Sequence, residues 1–336
     1  MSVPTSYNKD IGQKEINELI DRIEAECYKQ YEKAAAEMQG KLRKYLNQYD
    51  AEDEIMRSSL EAGEITEKEY TTWRKRKILN TQRWVQMRDV LARDAVNADM
   101  IALSIITGHA PDAYAIGHNY GTYMIESGIG VDTSYTLYDR QTVERLIRDN
   151  PKLLPDPTPN SETAKKLREN KDLIWNKDHI QGQVVQGILQ GEPLKDVAER
   201  MKTVTDMDNN AAKRNAATMM TSAQNGGRID SFKRAESLGI QLKKVWLATL
   251  DSHTRDAHRQ LDGQEQDTDA PFKSELGDIM FPGDPEAEPA NVYNCRCCLI
   301  TQLKGFERNV PNTDLRHDDN LKGMSYDEWK TARKVK

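Results

Sequence analysis

The stretch KKVWLATLDSHTRDAHRQLDGQ, residues 243–264, is where the chain stops reading as helix. From Lys243 to Leu250 it is apolar on both faces after its first residues, as a strand in the middle of a sheet would be. Asp251 to His258 follows without a break. Read as helix, it places Asp251, Arg255 and His258 on one face through steps of four and three, with His253 pointing elsewhere. Leu261-Asp262-Gly263-Gln264 closes the segment as a turn. A loop follows with nine acids and one lysine between Asp262 and Glu288, and Pro282-Gly283-Asp284-Pro285 marks a fixed bend in it. The run NCRCCLI, residues 294–300, then reads as a second strand, with Cys295 and Cys297 on one face and Arg296 and Cys298 on the other. Residues 240–303 are thereby expected to form a small α+β module.

Everything before that module points to long helices. Ile16, Ile20, Ile23, Cys27, Tyr31, Ala34, Met38, Leu42, Tyr45 and Tyr49 recur in steps of three and four, one face of a single helix. Gly63 interrupts, and Thr66 with Glu69 has the form of a capping box opening a second helix. Its stripe runs through Trp84, Leu91, Ala95, Ala98, Ala102 and Ile105 to an end near Gly108. Two long antiparallel helices are the expected arrangement. Four prolines between Pro151 and Pro159 favour an extended linker. The expected partition is a helical N-terminal domain (1–150), a Pro-rich linker (151–160), a domain over 161–303 and a C-terminal tail (304–336). Within the third part, Ser161 suits the start of a short helix, another spans about Ile174 to Gln190, and Pro193 opens a third. A long helix runs from about Asn209 to Leu238, where Gly226-Gly227 marks a kink or a close helix contact.

Composition narrows the function classes. The 336 residues, 37% hydrophobic and 30% charged, are enough for a real core in two domains or one elongated one. A net charge of −6 offers no global attraction to nucleic acid or anionic membrane. No apolar run approaches the length of a bilayer span, and the N-terminus lacks the layout of a secretory signal. Four cysteines in a chain this long argue against a disulfide scaffold and for assembly in a reducing cytoplasm. One region departs from the acidic balance: eight Lys or Arg against two acids between Lys68 and Arg93, interleaved with aromatics. Arg74-Lys75-Arg76-Lys77 is its dense run. It reads either as a contact for double-stranded DNA or as a solvated helix face.

Three blocks, Trp246 to His258, Leu261 to Gln264 and Phe281 to Cys297, occur in the order seen in the phage Mu F-like family of minor head, or head morphogenesis, proteins. The resemblance covers roughly residues 180–303 and rests on Trp246, Asp251, Thr254, Arg255, His258, Gly263, Pro282, Gly283, Asn294, Cys295 and Cys297. This chain departs from the family's pattern at His253, where members often have arginine, and at Met220-Thr221-Ser222, where many have Arg-Thr-Glu. The resemblance implies a virion protein of the phage head, associated with the portal and with capsid or scaffold proteins. It implies a role in head assembly or in DNA packaging or ejection, and no membrane. Some relatives carry toxin or ADP-ribosyltransferase domains after the shared module. The residues that follow Leu303 here are too few to fold as one.

The chemistry of the module stays open between three readings. Two thiolates and an imidazole from Cys295, Cys297 and His258 suit zinc, with His253 or Cys298 as a fourth ligand. The plainer alternative is a hydrogen-bonded polar cluster in which Asp251 pairs with Arg255 and His258 donates to a carbonyl. The third is a metallo-hydrolase or Cys-His nucleophile built on Asp251, His258 and the cysteines. No HExxH, nucleophile elbow, phosphate loop or paired catalytic carboxylate accompanies them. No catalytic residue is assigned.

Overall fold

The first apolar stripe becomes one helix, α1 (Ile11–Leu46), and Ile16, Ile23, Cys27, Tyr31, Met38 and Leu42 along it are buried. Asp10 caps it, its carboxylate accepting from the Gln13 amide at 2.7 Å. The computed structural model describes residues 9–150, 152–154, 162–306 and 316–334, so most of the proline-rich stretch lies outside the described residues. After α2 (Asp50–Glu61), Gly63 turns the chain at φ +74°. The Thr66–Glu69 capping box then opens α3 (Glu67–Arg74), as expected.

The second long helix is not continuous from there. A π-helical turn at Lys75–Leu79 ends at Asn80, and α4 (Gln82–Gly108) starts afresh. The Thr81 hydroxyl accepts from the Trp84 amide at 3.0 Å, a local bond that competes with helix continuation and restarts it. From that point α1 and α4 run antiparallel: Tyr45 meets Trp84, Lys41 pairs with Asp94, and Tyr31 donates to Asp99. Ile106, and not Ile105, carries the stripe to its end.

Helices α5 (Ala110–Ile129) and α6 (Arg140–Asp149) follow, separated by the short strand β1 (Val131–Asp132). The two helices expected between Ser161 and Gln190 are one, α7 (Glu162–Leu189), and Pro193 caps α8 (Leu194–Glu199). The long helix α9 (Met201–Ser237) begins earlier than expected and closes on Gly239, at φ +84°. It runs unbroken through Gly226-Gly227. A Cβ on Gly227 would sit 2.2 Å from the Tyr114 carbonyl oxygen, and one on Gly117 1.9 Å from that of Gln224. The glycines therefore serve the close approach of α5 and α9.

Strand β2 (Ile240–Leu247) lies in the middle of an antiparallel sheet, between β3 (Glu265–Gln266) and β6 (Cys298–Phe306). Its register puts Trp246 opposite Leu299 and Leu247 opposite Cys298. The strand stops at Leu247, short of Leu250, because Leu250 takes a left-handed conformation at φ +57° and the Ala248 amide donates to Asp262 at 2.8 Å. Between β2 and β6 lie α10 (Asp256–Leu261), a β4 (Phe272–Ser274) and β5 (Gly277–Ile279) hairpin, and α11 (Pro289–Val292). Strand β7 (Arg316–His317) pairs with β1, and α12 (Tyr326–Lys334) ends the described chain.

The structure is thus mainly α with a small α+β module, as read from the sequence. Two compact units divide it: one holds the described parts of 1–23, 106–155 and 214–336, the other those of 24–105 and 156–213. This division is discontinuous along the chain: one boundary, at 155/156, falls within the proline stretch, and the others follow residues 23, 105 and 213. The core of the second unit gathers Met38, Leu42, Trp84, Leu91, Ile180, Val184 and Val197. That of the first gathers Phe232, Trp246, Phe272 and Leu299 with Tyr326 and Trp329. The last two correct the reading of 304–336 as a tail, since α12 is core. Its Trp329 indole donates to the buried Glu126 carboxylate at 2.7 Å, and Arg333 pairs with the same group at 2.5 Å.

Candidate functional site

Asp251 does not begin a helix. Its carboxylate accepts from the His253 amide at 2.9 Å and the Thr254 hydroxyl at 3.1 Å, a turn that spends the residues meant for a first helical turn. Helix α10 starts only at Asp256, so the shared face of Asp251, Arg255 and His258 does not form. The expected Asp251–Arg255 pair is absent as well. Arg296 instead grips Asp251 on both oxygens, at 2.7 and 2.6 Å, while Arg255 donates to the Tyr293 carbonyl. The Arg296 hydrogen bond holds the half-exposed Asp251 carboxyl well below the usual carboxylate range.

The short helix nevertheless delivers His258 to the interior, where it is 1% exposed. Cys295 and Cys297 reach it from the other side. They lie just ahead of β6, not within a strand, yet both sulfurs face the imidazole: Cys295 Sγ is 3.6 Å and Cys297 Sγ 3.8 Å from His258 Nδ1. The conformation comes from the backbone. Asn294 sits in the left-handed region at φ +58°, a position asparagine tolerates, and its amide donates to Thr218 Oγ1 at 3.0 Å. The Thr221 hydroxyl donates to the Cys295 carbonyl at 2.9 Å. Asn225 donates to the carbonyls of Cys297 (3.2 Å) and Pro282 (3.1 Å) and accepts from the Leu299 amide at 2.9 Å. Gly283 allows the Pro282 bend to lie against α9; a Cβ there would be 2.8 Å from the Ser222 amide nitrogen, and its φ is +82°.

On the far side of the imidazole, His258 Nε2 lies 2.8 Å from Asn291 Oδ1. Asn291 donates its own amide to the Gly277 carbonyl at 3.0 Å, which fixes Oδ1 as the acceptor. His258 therefore carries its proton on Nε2 and presents a bare Nδ1 to the two sulfurs. Trp246 packs edge-on against the ring at 5.2 Å. The two thiols behave as a pair: a hydrogen bond from Cys295 holds Cys297 well below the ordinary thiol range. Cys295 is pushed well up by that bond and by burial.

Neither expected fourth group joins them. Cys298 points the other way, its Sγ 3.9 Å from Asp10 Oδ2, and His253 is exposed. Among the described residues, His258, Cys295 and Cys297 make the single cluster of potential metal ligands, with ligand atoms within 4.8 Å of one another. Gly263, at φ +74°, completes the turn that returns the chain to β2, its amide donating to the Trp246 carbonyl at 2.8 Å. Asn225 and Asn291 were missed from the sequence, and Thr221 was noted only as part of a departure from the family's pattern. Asn225 had a visible signal, a polar residue on the buried side of a long helix.

The basic run divides. Arg74 is fully buried, 2.8 Å from Asp53 and donating to the Glu192 carbonyl at 2.8 Å, so it is no DNA contact. Lys77 pairs with Glu52 at 2.6 Å. Arg76 is exposed and Lys75 half-buried.

The described structure is a set of long helices with an antiparallel module that holds a buried His258, Cys295 and Cys297. In comparison with known proteins, residues 178–300 match the family described as Phage Mu protein F like protein. The family resemblance read from the three blocks is borne out. Over 329 residues the chain is 24% identical to minor head protein GP7 of Bacillus phage SPP1, covering 96% of this chain and 98% of that protein. It is 28% identical over 219 residues to NAD(+)--arginine ADP-ribosyltransferase EFV of Enterococcus faecalis, covering 63% of this chain and 41% of that protein. An uncharacterized protein of Haemophilus influenzae is 28% identical over 155 residues, 30% of its length. No solved structure matches. No helix among the described residues is long and apolar enough to cross a membrane.

Proposed function

We propose that this chain is a minor head protein of a tailed bacteriophage, a structural component and not an enzyme. In this reading it binds the portal protein at the portal vertex or head interior, alongside capsid or scaffold proteins, and acts in head assembly or in DNA packaging or ejection. It is made in the host cytoplasm and kept in the virion. The observation that carries this reading is the end-to-end likeness to minor head protein GP7, which extends through the helical body as well as the module. The likeness to the ADP-ribosyltransferase covers less than half of that enzyme. A role for double-stranded DNA as a direct partner rests on Arg76 and Lys75, the two members of the basic run that remain without the burial of Arg74 or the ion pair of Lys77.

The test is recovery from phage-producing cells. Tagged chain should enrich portal protein, and mass spectrometry of purified heads should find it at a few copies each. Its absence from heads, with neither portal nor capsid protein recovered, would overturn the assignment.

A further inference from the structure

We propose that His258 Nδ1, Cys295 Sγ and Cys297 Sγ together bind one zinc ion, which clasps the α+β module shut. This stands apart from the proposed function and is tested separately from it. The first support is the shape of the group. Zinc bound at about 2.3 Å to sulfur and about 2.0–2.1 Å to nitrogen, at a tetrahedral angle, sets a nitrogen and a sulfur about 3.6 Å apart. The two nitrogen–sulfur separations here are 3.6 and 3.8 Å. The second is the tautomer: with its proton committed to Asn291, His258 offers a lone pair to the point the sulfurs also face. The third is independence of the scaffold. The Cys295 and Cys297 carbonyls are held by Thr221 and Asn225 of α9, so the sulfurs are presented by backbone bonds that need no metal.

The placement explains what the ion would do. His258 and Cys295 are 37 positions apart. Between them runs a segment rich in acids, with Leu261, Phe272 and Ile279 as its buried hydrophobic side chains before α11. So little apolar burial leaves that segment in need of a cross-link, and a metal that joins its two ends supplies one. All three side chains are at most 2% exposed, which suits a structural ion over a catalytic one. No fourth His, Cys, Asp or Glu among the described residues reaches the group. The fourth position therefore falls to water or to a donor of another kind.

Full-length chain produced without a histidine tag should contain about one zinc by elemental analysis. Cobalt substituted for zinc should give the intense visible bands of tetrahedral thiolate coordination. A membrane-permeant chelator should lower the melting temperature of the intact protein, and added zinc should restore it. Cys297→Ser should lose the metal, whereas Cys298→Ser and Cys27→Ser should keep it. The wild-type measurements stand even if Cys297→Ser fails to fold. Protein free of metal, whose melting ignores both chelator and added zinc, would overturn the proposal and leave a hydrogen-bonded thiol–imidazole cluster. Full zinc occupancy in Cys297→Ser would overturn the ligand set.

Discussion

Arg228 is fully buried in α9 and grips Asp10 with two hydrogen bonds of 2.7 Å, while also donating to the Leu299 carbonyl at 2.6 Å. One guanidinium thus joins the cap of α1 to the strand that follows the cysteines. Removing one partner of such a pair leaves a charge without water or counter-ion. Arg228→Ala should cost about 3–5 kcal/mol in denaturant melts. Replacing both charges, as Asp10→Leu with Arg228→Met, should cost distinctly less. Equal losses in the single and double variants would show that packing against Tyr120, and not the charge, carries the effect. Neither residue was legible as a pair. Their 218-residue separation leaves no local pattern, and Asp10 reads by itself as an ordinary helix cap. The two cysteines and His258 were legible because thiol and imidazole are rare and chemically specific. Asn225 and Asn291, which aim them, are of a residue type that a sequence leaves on the surface by default.

At the scale of elements, amphipathic periodicity was the reliable signal. It located α1 and α4, and glycine spacing anticipated the tight crossing of α9. It failed where side chains bond their own backbone. Thr81 split the second helix, and Asp251 delayed α10 by a full turn. The basic run failed for another reason: charge density says nothing of which side of a helix faces inward. Arg74→Gln should therefore destabilise the protein by about 3–5 kcal/mol, leaving the buried Asp53 with only the Tyr70 hydroxyl and a longer contact to Arg57. Arg76→Gln should change stability by less than about 0.5 kcal/mol. A DNA-binding test that replaces all four residues at once would report unfolding; Lys75 and Arg76 are the pair to change, and loss of a salt-dependent affinity in that variant is the expected result.

A second property belongs to the same helices. Asp99 of α4 and Asp208 of α9 are largely buried near each other and near Asp172. Burial first, then mutual repulsion, raises Asp208 to about 8, and burial raises Asp99 to about 6. The unfolded chain releases these protons near the ordinary value of 3.8, whereas the folded one keeps them longer. Their contribution to stability is thus complete below about pH 4 and is lost as pH rises through about 6 and then about 8. Asp208→Asn should raise the melting temperature more at pH 8 than at pH 5. A gain that is the same at both would remove the titration as its cause.

Across the whole molecule, the fold class and the resemblance over residues 178–300 were readable from the chain, and the boundaries after 23, 105 and 213 were not. A proline cluster is a local mark, whereas a compact unit is set by which distant surfaces close on each other. Here Glu15 pairs with Lys330 across 315 positions, and Asp10 with Arg228, so early and late residues share one unit. The other unit draws on nothing beyond residue 213. That arrangement has a consequence for synthesis. On the ribosome, the helices of the second unit are all available while the sheet, the cysteines and α12 are still to be translated. The start of α1 must wait, uncommitted, for partners that arrive last. The waiting surface includes the apolar stripe of α5 that Phe232 and Trp329 later cover. The interval before α12 emerges is therefore when this part of the chain is most open to a chaperone or to premature assembly.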